Sequence, residues 1–365
     1  MDRRTLIKAG FGATLGGVGG PLLGAPDVQG KKSRPLGIAL VGLGKYATGQ
    51  LAPALQQTSF CRLAGIVTGT PDKARQWQQQ YSLPKENIYS YETFEQIAHN
   101  PDIDIIYVVL PNAMHAEYVI RAAKAKKHVI CEKPMAVTIQ QCQAMIDACR
   151  DNGVRLSIGY RLHFEPHTQE MMRLGQNKVL GAVQSIIAQD GMEIGDPTQW
   201  RLKKALAGGG PLMDVGIYCV QAACYVTGEK PVAIESARLK DGAGPAFAEV
   251  EEELAWTMRF PGGATTDCLT SYSRKLNLLD VKAARGRFTL QPAYSYRGIQ
   301  GRTPQGPMHF SQVNQQALQM DDFAHCITTE KPTRVPGEMG LRDVKLLQAI
   351  YDAAQSHKTV ALDWS

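Results

Sequence analysis

The chain of 365 residues, 44% apolar and 20% charged, has the balance of a globular protein and the length for two domains rather than one. Its net charge of +6 is concentrated at the start, where Arg3, Arg4, Lys8, Lys31, Lys32 and Arg34 oppose only Asp2 and Asp27. Residues 35–365 carry just +2, which excludes a basic nucleic-acid surface. The eight cysteines form no C-x-x-C pair and no zinc spacing, and most sit in apolar periodic runs as small core residues.

Asp2-Arg3-Arg4-Thr5-Leu6-Ile7-Lys8 resembles a twin-arginine export signal. The stretch that follows, 9–23, is too short and too rich in glycine for stable membrane insertion. Residues 1–30 are therefore expected to be signal and linker, recognised by the twin-arginine export machinery, with the folded protein delivered to the periplasm. From residue 31 the pattern predicts alternating strands and helices: strands over 38–41, 62–68, 103–110, 128–131 and 155–160. Helices are expected after residue 47 and over 72–81, 91–100, 116–125 and 139–152. That order predicts a doubly wound α/β domain over 31–158.

The first strand runs into Gly42-Leu43-Gly44-Lys45-Tyr46-Ala47, a G-x-G-x-x-A turn between strand and helix. Gly42 permits the tight turn, Gly44 leaves room for a pyrophosphate, and Ala47 lets the helix pack close to the strand. The free amides of the helix start then favour phosphate, so this loop predicts a bound dinucleotide. Where an NAD-preferring domain carries an acidic residue, the second strand ends in Thr68. Thr68 with Lys73 just beyond favours the 2′-phosphate of NADP, and Asp72 is expected to point away. Two further strand ends, Leu110-Pro111-Asn112-Ala113-Met114-His115 and Glu132-Lys133-Pro134, are placed on the nicotinamide side.

Past residue 159 the texture changes. Strands are expected over 181–192, 232–240, 250–260, 264–273, 278–284 and 287–290, forming an open, largely antiparallel sheet in a second, α+β domain over 159–335. One helix interrupts at 211–227, and others follow near 315–329 and 340–356; the last, with the tail 336–365, is expected to return to the first domain. The histidines of His163-Phe164-Glu165-Pro166-His167 stand at i and i+4, but Pro166 breaks the helix that would align them on a metal.

The chemistry is expected where Gly208-Gly209-Gly210-Pro211 opens a helix carrying Asp214 and Tyr218 on one face. Oxidising an alcohol carbon needs a proton acceptor while hydride leaves for a nicotinamide. A phenol serves at neutral pH only when a cation stabilises its anion, a role open to Lys133. The same cation helps a developing alkoxide, and Asp214 is placed to orient the lysine or the substrate.

The segments GLGKYA, VLPNAMH, CEKPMA, GYRLHFEP, QWRLKKALAGGGPLMDVGIY, EVEEEL and GEMGLRDVKLLQAIYDAA together resemble the glucose–fructose oxidoreductase family of sugar oxidoreductases. The resemblance runs over 36–364 and implies a Rossmann domain with a C-terminal open sheet. It also implies tightly bound NADP, Lys133 as a catalytic residue with Asp214 and Tyr218 as its partners, and sugar substrates. Tyr160, Arg161, Trp200 and Arg201 are then expected to line the cofactor or sugar cleft, and the second sheet to form a homo-oligomer. Many relatives of that family carry histidine where this chain has Tyr218. Only about ten residues separate signal from core, so no long subunit-wrapping arm is expected. The reaction favoured is ping-pong: one aldose oxidised to its lactone, a second sugar reduced to an alditol. A plain sugar dehydrogenase with exchangeable cofactor, a glycosidase of this fold and a non-catalytic sugar sensor remain alternatives.

Overall fold

The computed structural model describes residues 34–242 and 244–365, so the expected export signal lies outside the described residues. Pro35–Ser365 folds as one unit around two sheets. The first sheet contains β1 (Leu36–Val41), β2 (Cys61–Val67), β3 (Ile88–Tyr89), β4 (Ile105–Val108), β5 (His128–Cys131) and β6 (Leu156–Ile158). Their order is β3-β2-β1-β4-β5-β6, with every pair parallel. Strand order reverses between β1 and β4, and the glycine loop 42–47 leaves β1 at that switch point, where open α/β sheets bind ligands.

Alternate residues of these strands feed two cores. Ile38 and Leu40 face one side with Ile105 and Tyr107, while Ala39 and Val41 face the other with Ile106 and Val108. Burial on both faces explains why the strands read as continuous apolar runs. After the glycine loop comes a π-helical turn, Ala47–Leu51, and then α1 (Ala52–Leu55). Next are α2 (Pro71–Tyr81), which Pro71 starts, α3 (His115–Lys124) and α4 (Ile139–Asp151), whose Thr138 Oγ1 accepts the Gln141 amide at 3.1 Å. The helix expected over 91–100 is instead a 3₁₀ segment, Phe94–His99, and the short strand β3 was not foreseen.

The second sheet has nine strands: β7 (Val183–Gly191), β8 (Ala233–Lys240), β9 (Glu253–Arg259), β10 (Thr265–Ser271), β11 (Leu276–Ala283), β12 (Gly286–Leu290), β13 (Gly301–Thr303), β14 (Gly306–Pro307) and β15 (Val360–Ala361). Every pairing is antiparallel except β7 with β10, which lie parallel because helical structure intervenes between them in the chain. That structure includes α6 (Lys204–Ala207), the π-helical turn Leu212–Gly216 and α7 (Ile217–Thr227), every residue of which but Thr227 is buried. Ahead of β7, α5 (Pro166–Gln176) packs on α7, its start capped by Glu165 Oε2 accepting the Thr168 amide at 2.7 Å. The hairpin β13–β14 and the edge strand β15 are too short for periodicity to reveal.

Two late helices tie the sheets together. The sequence placed α8 (Gln315–Thr328) in the second domain, but its Met320, Phe323 and Ala324 pack in the core of Ile38 and Leu40. The last helix, α9 (Gly337–Ser356), lies against β6 and α4; a Cβ on Gly340 would come within 2.8 Å of Met135 and 3.2 Å of Ile158. Small residues set such approaches elsewhere too. A Cβ on Gly175 would lie 2.1 Å from the Val226 carbonyl oxygen, backbone that cannot step aside. Gly175→Ala is therefore expected to destabilise the fold by about 1–3 kcal/mol, read by denaturant unfolding; an unchanged midpoint would show that α5 can shift off α7.

Candidate active site

The glycine loop has the form a dinucleotide needs. Gly42 has φ +95°, and a Cβ there would stand 2.6 Å from the Val109 carbonyl oxygen and 2.8 Å from the Leu110 side chain. Gly44 is exposed, with nothing within 4 Å of an added Cβ, while Leu43 is buried beneath the loop. No side chain caps the turn that follows at Tyr46 and Ala47, so its first amides are open to a phosphate. Lys45 is exposed on the loop, and Lys73 Nζ donates to the Leu43 carbonyl at 3.4 Å, placing a cation beside it. Thr68, at the end of β2, accepts the Thr70 amide on Oγ1 at 3.2 Å. Asp72 pairs with Arg75 in solvent.

At the β5 end, Lys133 reaches across to the turn before α7. Its Nζ lies 3.3 Å from Asp214 Oδ1 and donates as well to the Asp214 backbone carbonyl. Asp214 Oδ2 accepts from Arg201 Nε at 2.8 Å and from the Tyr272 hydroxyl at 3.2 Å. Burial alone pushes the Asp214 carboxyl up, but Arg201 and then Lys133 outweigh it and hold the group at about 2. Burial likewise opposes the charge on Lys133, and Tyr218, Asp214 and Glu132 together carry it above its ordinary value. The site thus holds an ammonium and a carboxylate locked together at neutral pH.

Tyr218 completes the group. Lys133 Nζ stands 4.8 Å from its ring centroid, the Arg161 guanidinium 5.1 Å away, and Tyr294 stacks on it at 6.0 Å. The glycines upstream make this approach possible. Glu251 accepts the Gly210 amide at 2.9 Å and the Leu212 amide at 3.3 Å, and Tyr351 donates to it at 2.8 Å. A Cβ on Gly209 would fall 2.0 Å from the Tyr351 oxygen, and one on Gly210 2.5 Å from the Glu251 carbonyl oxygen. The turn carrying Asp214 is therefore docked from behind by a buried carboxylate.

Several residues expected at the cofactor or sugar are engaged by the protein itself. Buried His115 sets its ring nitrogens 2.9 Å from the Pro134 carbonyl and 2.8 Å from that of Leu110, stapling two strand-end loops together. Glu132 turns inward to accept Tyr107 at 2.7 Å, and only a glycine at 159 leaves it space. Tyr160 is buried against Asp343; burial first, and then that carboxylate, raise its phenol. Arg161 is clamped between Tyr218 and Tyr296 and donates to the Tyr294 and Ser295 carbonyls and to Gln315. All four are thus fixed by partners within the protein, and Arg161 at the same time stands against the Tyr218 ring. Asn112 donates to the Ala207 carbonyl at 2.8 Å, holding α6, and Trp200 carries the Arg201 guanidinium 4.6 Å over its ring.

Tyr272, just past β10, and Tyr294 and Tyr296, two residues apart in the loop after β12, were not foreseen, because nothing local links those two loops to the site. Nor was Asp190. On β7 the buried row Ile186, Ala188, Asp190 ends in an acid, a break in apolar alternation that was legible.

Residues 36–160 match the model of an oxidoreductase family with an NAD-binding Rossmann fold, and residues 168–288 match the GFO/IDH/MocA C-terminal domain. The chain belongs to the GFO/IDH/MocA oxidoreductase family. The structure of aldose-aldose oxidoreductase from Caulobacter crescentus, complexed with glycerol, is 44% identical, with a TM-score of 0.88 over 90% of this chain and all of that one. The NADP(+) D-xylose 1-dehydrogenase of Haloarcula marismortui is 31% identical over 90% of this chain and 94% of its own. D-glucoside 3-dehydrogenase of Escherichia coli is 27% identical, covering 90% and 98%. The glycine loop, its uncapped helix start and Lys73 fit the family's nicotinamide dinucleotide.

Lys133→Ala and Tyr218→Phe are expected to keep fold and nucleotide while lowering sugar turnover by about 10²–10⁴. Near-normal turnover in Tyr218→Phe would remove the phenol from the chemistry.

Proposed function

We propose that this protein is an NADP-containing sugar oxidoreductase that works in the periplasm on two sugars in turn, oxidising an aldose to its lactone and reducing a second sugar to an alditol. The observation that carries the reading is the convergence of Lys133, from the end of β5, with Asp214 and Tyr218, from the turn and helix that face it. A bound nicotinamide dinucleotide supplies the hydride acceptor and, once reduced, the hydride donor. As hydride leaves the aldose C1, the C1 hydroxyl proton passes to the Tyr218 phenolate, whose negative charge the Lys133 ammonium balances beforehand, leaving a neutral phenol and the lactone carbonyl. In the second half the proton returns to the oxygen of the carbonyl that takes the hydride. Asp214 stays ionised throughout, because Arg201 and Lys133 hold it far below neutral pH, and so keeps the lysine in place.

NADP is favoured by Thr68, which puts no carboxylate at the β2 end, by Lys73 beside the loop, and by the diversion of Asp72 to Arg75. The NADP(+)-dependent xylose dehydrogenase among the relatives agrees with that choice. The likeness to an aldose-aldose oxidoreductase supports two sugars over one. The twin-arginine motif at Arg3-Arg4 supports export of the folded protein with its nucleotide on board. In a compartment poor in free NADP only internal return of the hydride lets the enzyme cycle. A homo-oligomer is supported by Ala255, Leu269, Gln189 and Leu278, half-buried side by side on the sheet face away from α7.

Purified protein without added nucleotide tests the reading. Denaturation should release NADP rather than NAD. One aldose should raise the reduced-nicotinamide absorbance to about one equivalent per chain, and a second carbonyl sugar should bring it back. If turnover requires added NADP and the nucleotide washes off, a plain sugar dehydrogenase replaces this reading.

A further inference from the structure

Asp190 stands in the same pocket of charge as the catalytic residues, and the chemistry above gives it no role. On β7 it is the last inward-facing residue after Ile186 and Ala188, with uncharged Thr270 of β10 and Asn277 of β11 as its partners in register. It is only 7% exposed. Charged groups face it from three directions: Lys133 beyond β5, Arg161 beyond β6 and Asp214 ahead of α7. The Cys219 thiol of α7 and the Tyr294 phenol, both pushed up by burial, also neighbour it.

A buried acid is normally held by hydrogen bonds. Every other carboxyl around this site is: Asp214 by Lys133, Arg201 and Tyr272, Glu132 by Tyr107 and the Lys133 amide, Glu251 by two amides and Tyr351. Among the described residues no side chain donates to Asp190; the Gly191 amide alone supports it. We infer that Asp190 is a further substrate-contacting residue, its carboxyl holding a sugar hydroxyl other than the one on which Lys133 and Tyr218 act. The inference rests on the sugar oxidoreductase reading and names part of its sugar subsite.

Burial, against the opposing pull of Lys133 and Arg161, drives the Asp190 carboxyl up to about 8, with Asp214 adding to the rise. At neutral pH the group is then a protonated acid that can both donate to and accept from a sugar hydroxyl. A sugar bound against the carboxyl shields it further from solvent and disfavours the charged form, so sugar and proton bind together. Affinity for the sugar is therefore full below about pH 8 and falls as pH rises through that value.

The test is steady-state kinetics of the full-chain holoenzyme from pH 6 to 9.5, with D-glucose and D-xylose as the probes. Asp190→Ala should raise KM by about ten- to a hundredfold, far more than it lowers kcat. Asp190→Asn, which keeps a donor and an acceptor, should hold KM near the wild-type value at pH 6–7 and lack the rise above pH 8 that wild type shows. Should Asp190→Ala fail to fold, the Asp190→Asn profile decides alone. Wild-type KM that is flat across pH 8, or an Asp190→Asn profile that keeps the same rise, overturns the role of Asp190 while leaving sugar oxidation standing. A wild-type enzyme that oxidises neither sugar overturns the underlying reading, and this one with it.

Discussion

The ion pair between Lys133 and Asp214 is the contact on which the site depends. Lys133 sits at the end of a strand of the first sheet, and Asp214 on the turn that enters the helix packed on the second. Their side chains are only 12% and 13% exposed. Removing two charges from water this far costs more than their attraction returns unless every remaining donor and acceptor is satisfied. Arg201 and Tyr272 take the second oxygen of Asp214, and the backbone carbonyl of Asp214 takes another proton of Lys133. Such a pair is a weak source of stability. What it fixes is geometry, setting a cation beside Tyr218 at the mouth of the nucleotide loop.

Behind this pair the fold buries two further carboxylates, each with a separate structural task. Glu251 holds the Gly210 and Leu212 amides so that the glycine loop presents Asp214, and Glu132 ties β5 through Tyr107 to Gln319 of α8. Burial raises both. Asp214 is the exception: its two cations reverse the effect of burial and keep it charged. The environment thus separates carboxyls that would otherwise titrate alike, leaving one permanent anion opposite one permanent cation.

Much of this was legible in the chain. Alternating apolar runs and helical periods marked five of the six strands of the first sheet, and Gly42, Gly44 and Ala47 marked the nucleotide loop because only small residues tolerate such close approach. Lys133, Asp214 and Tyr218 could be paired because a lysine before proline at a strand end and an acid four residues from a phenol are unusual local choices. Less visible was what each polar residue would face. His115, Glu132, Tyr160 and Arg161 belong to the right segments, yet their side chains turn inward to partners more than a hundred residues away or in neighbouring loops, as with Arg161 and Gln315. Periodicity carries no information on such long-range contacts. The same limit concealed α8, whose apolar face fits the first sheet although the chain reaches it only after the second.

If Lys133 and Tyr218 act together beside the one nucleotide loop, as proposed, hydride passes from one sugar to another without leaving the site. Deuterium tracing measures this directly. The enzyme is given an aldose deuterated at C1, an unlabelled second carbonyl sugar and an excess of free oxidised NADP, and the products are read by mass spectrometry. One deuterium is expected in each alditol molecule and none in the free nucleotide pool. Deuterium recovered in free NADPH, with the alditol unlabelled or absent, would contradict transfer within the site.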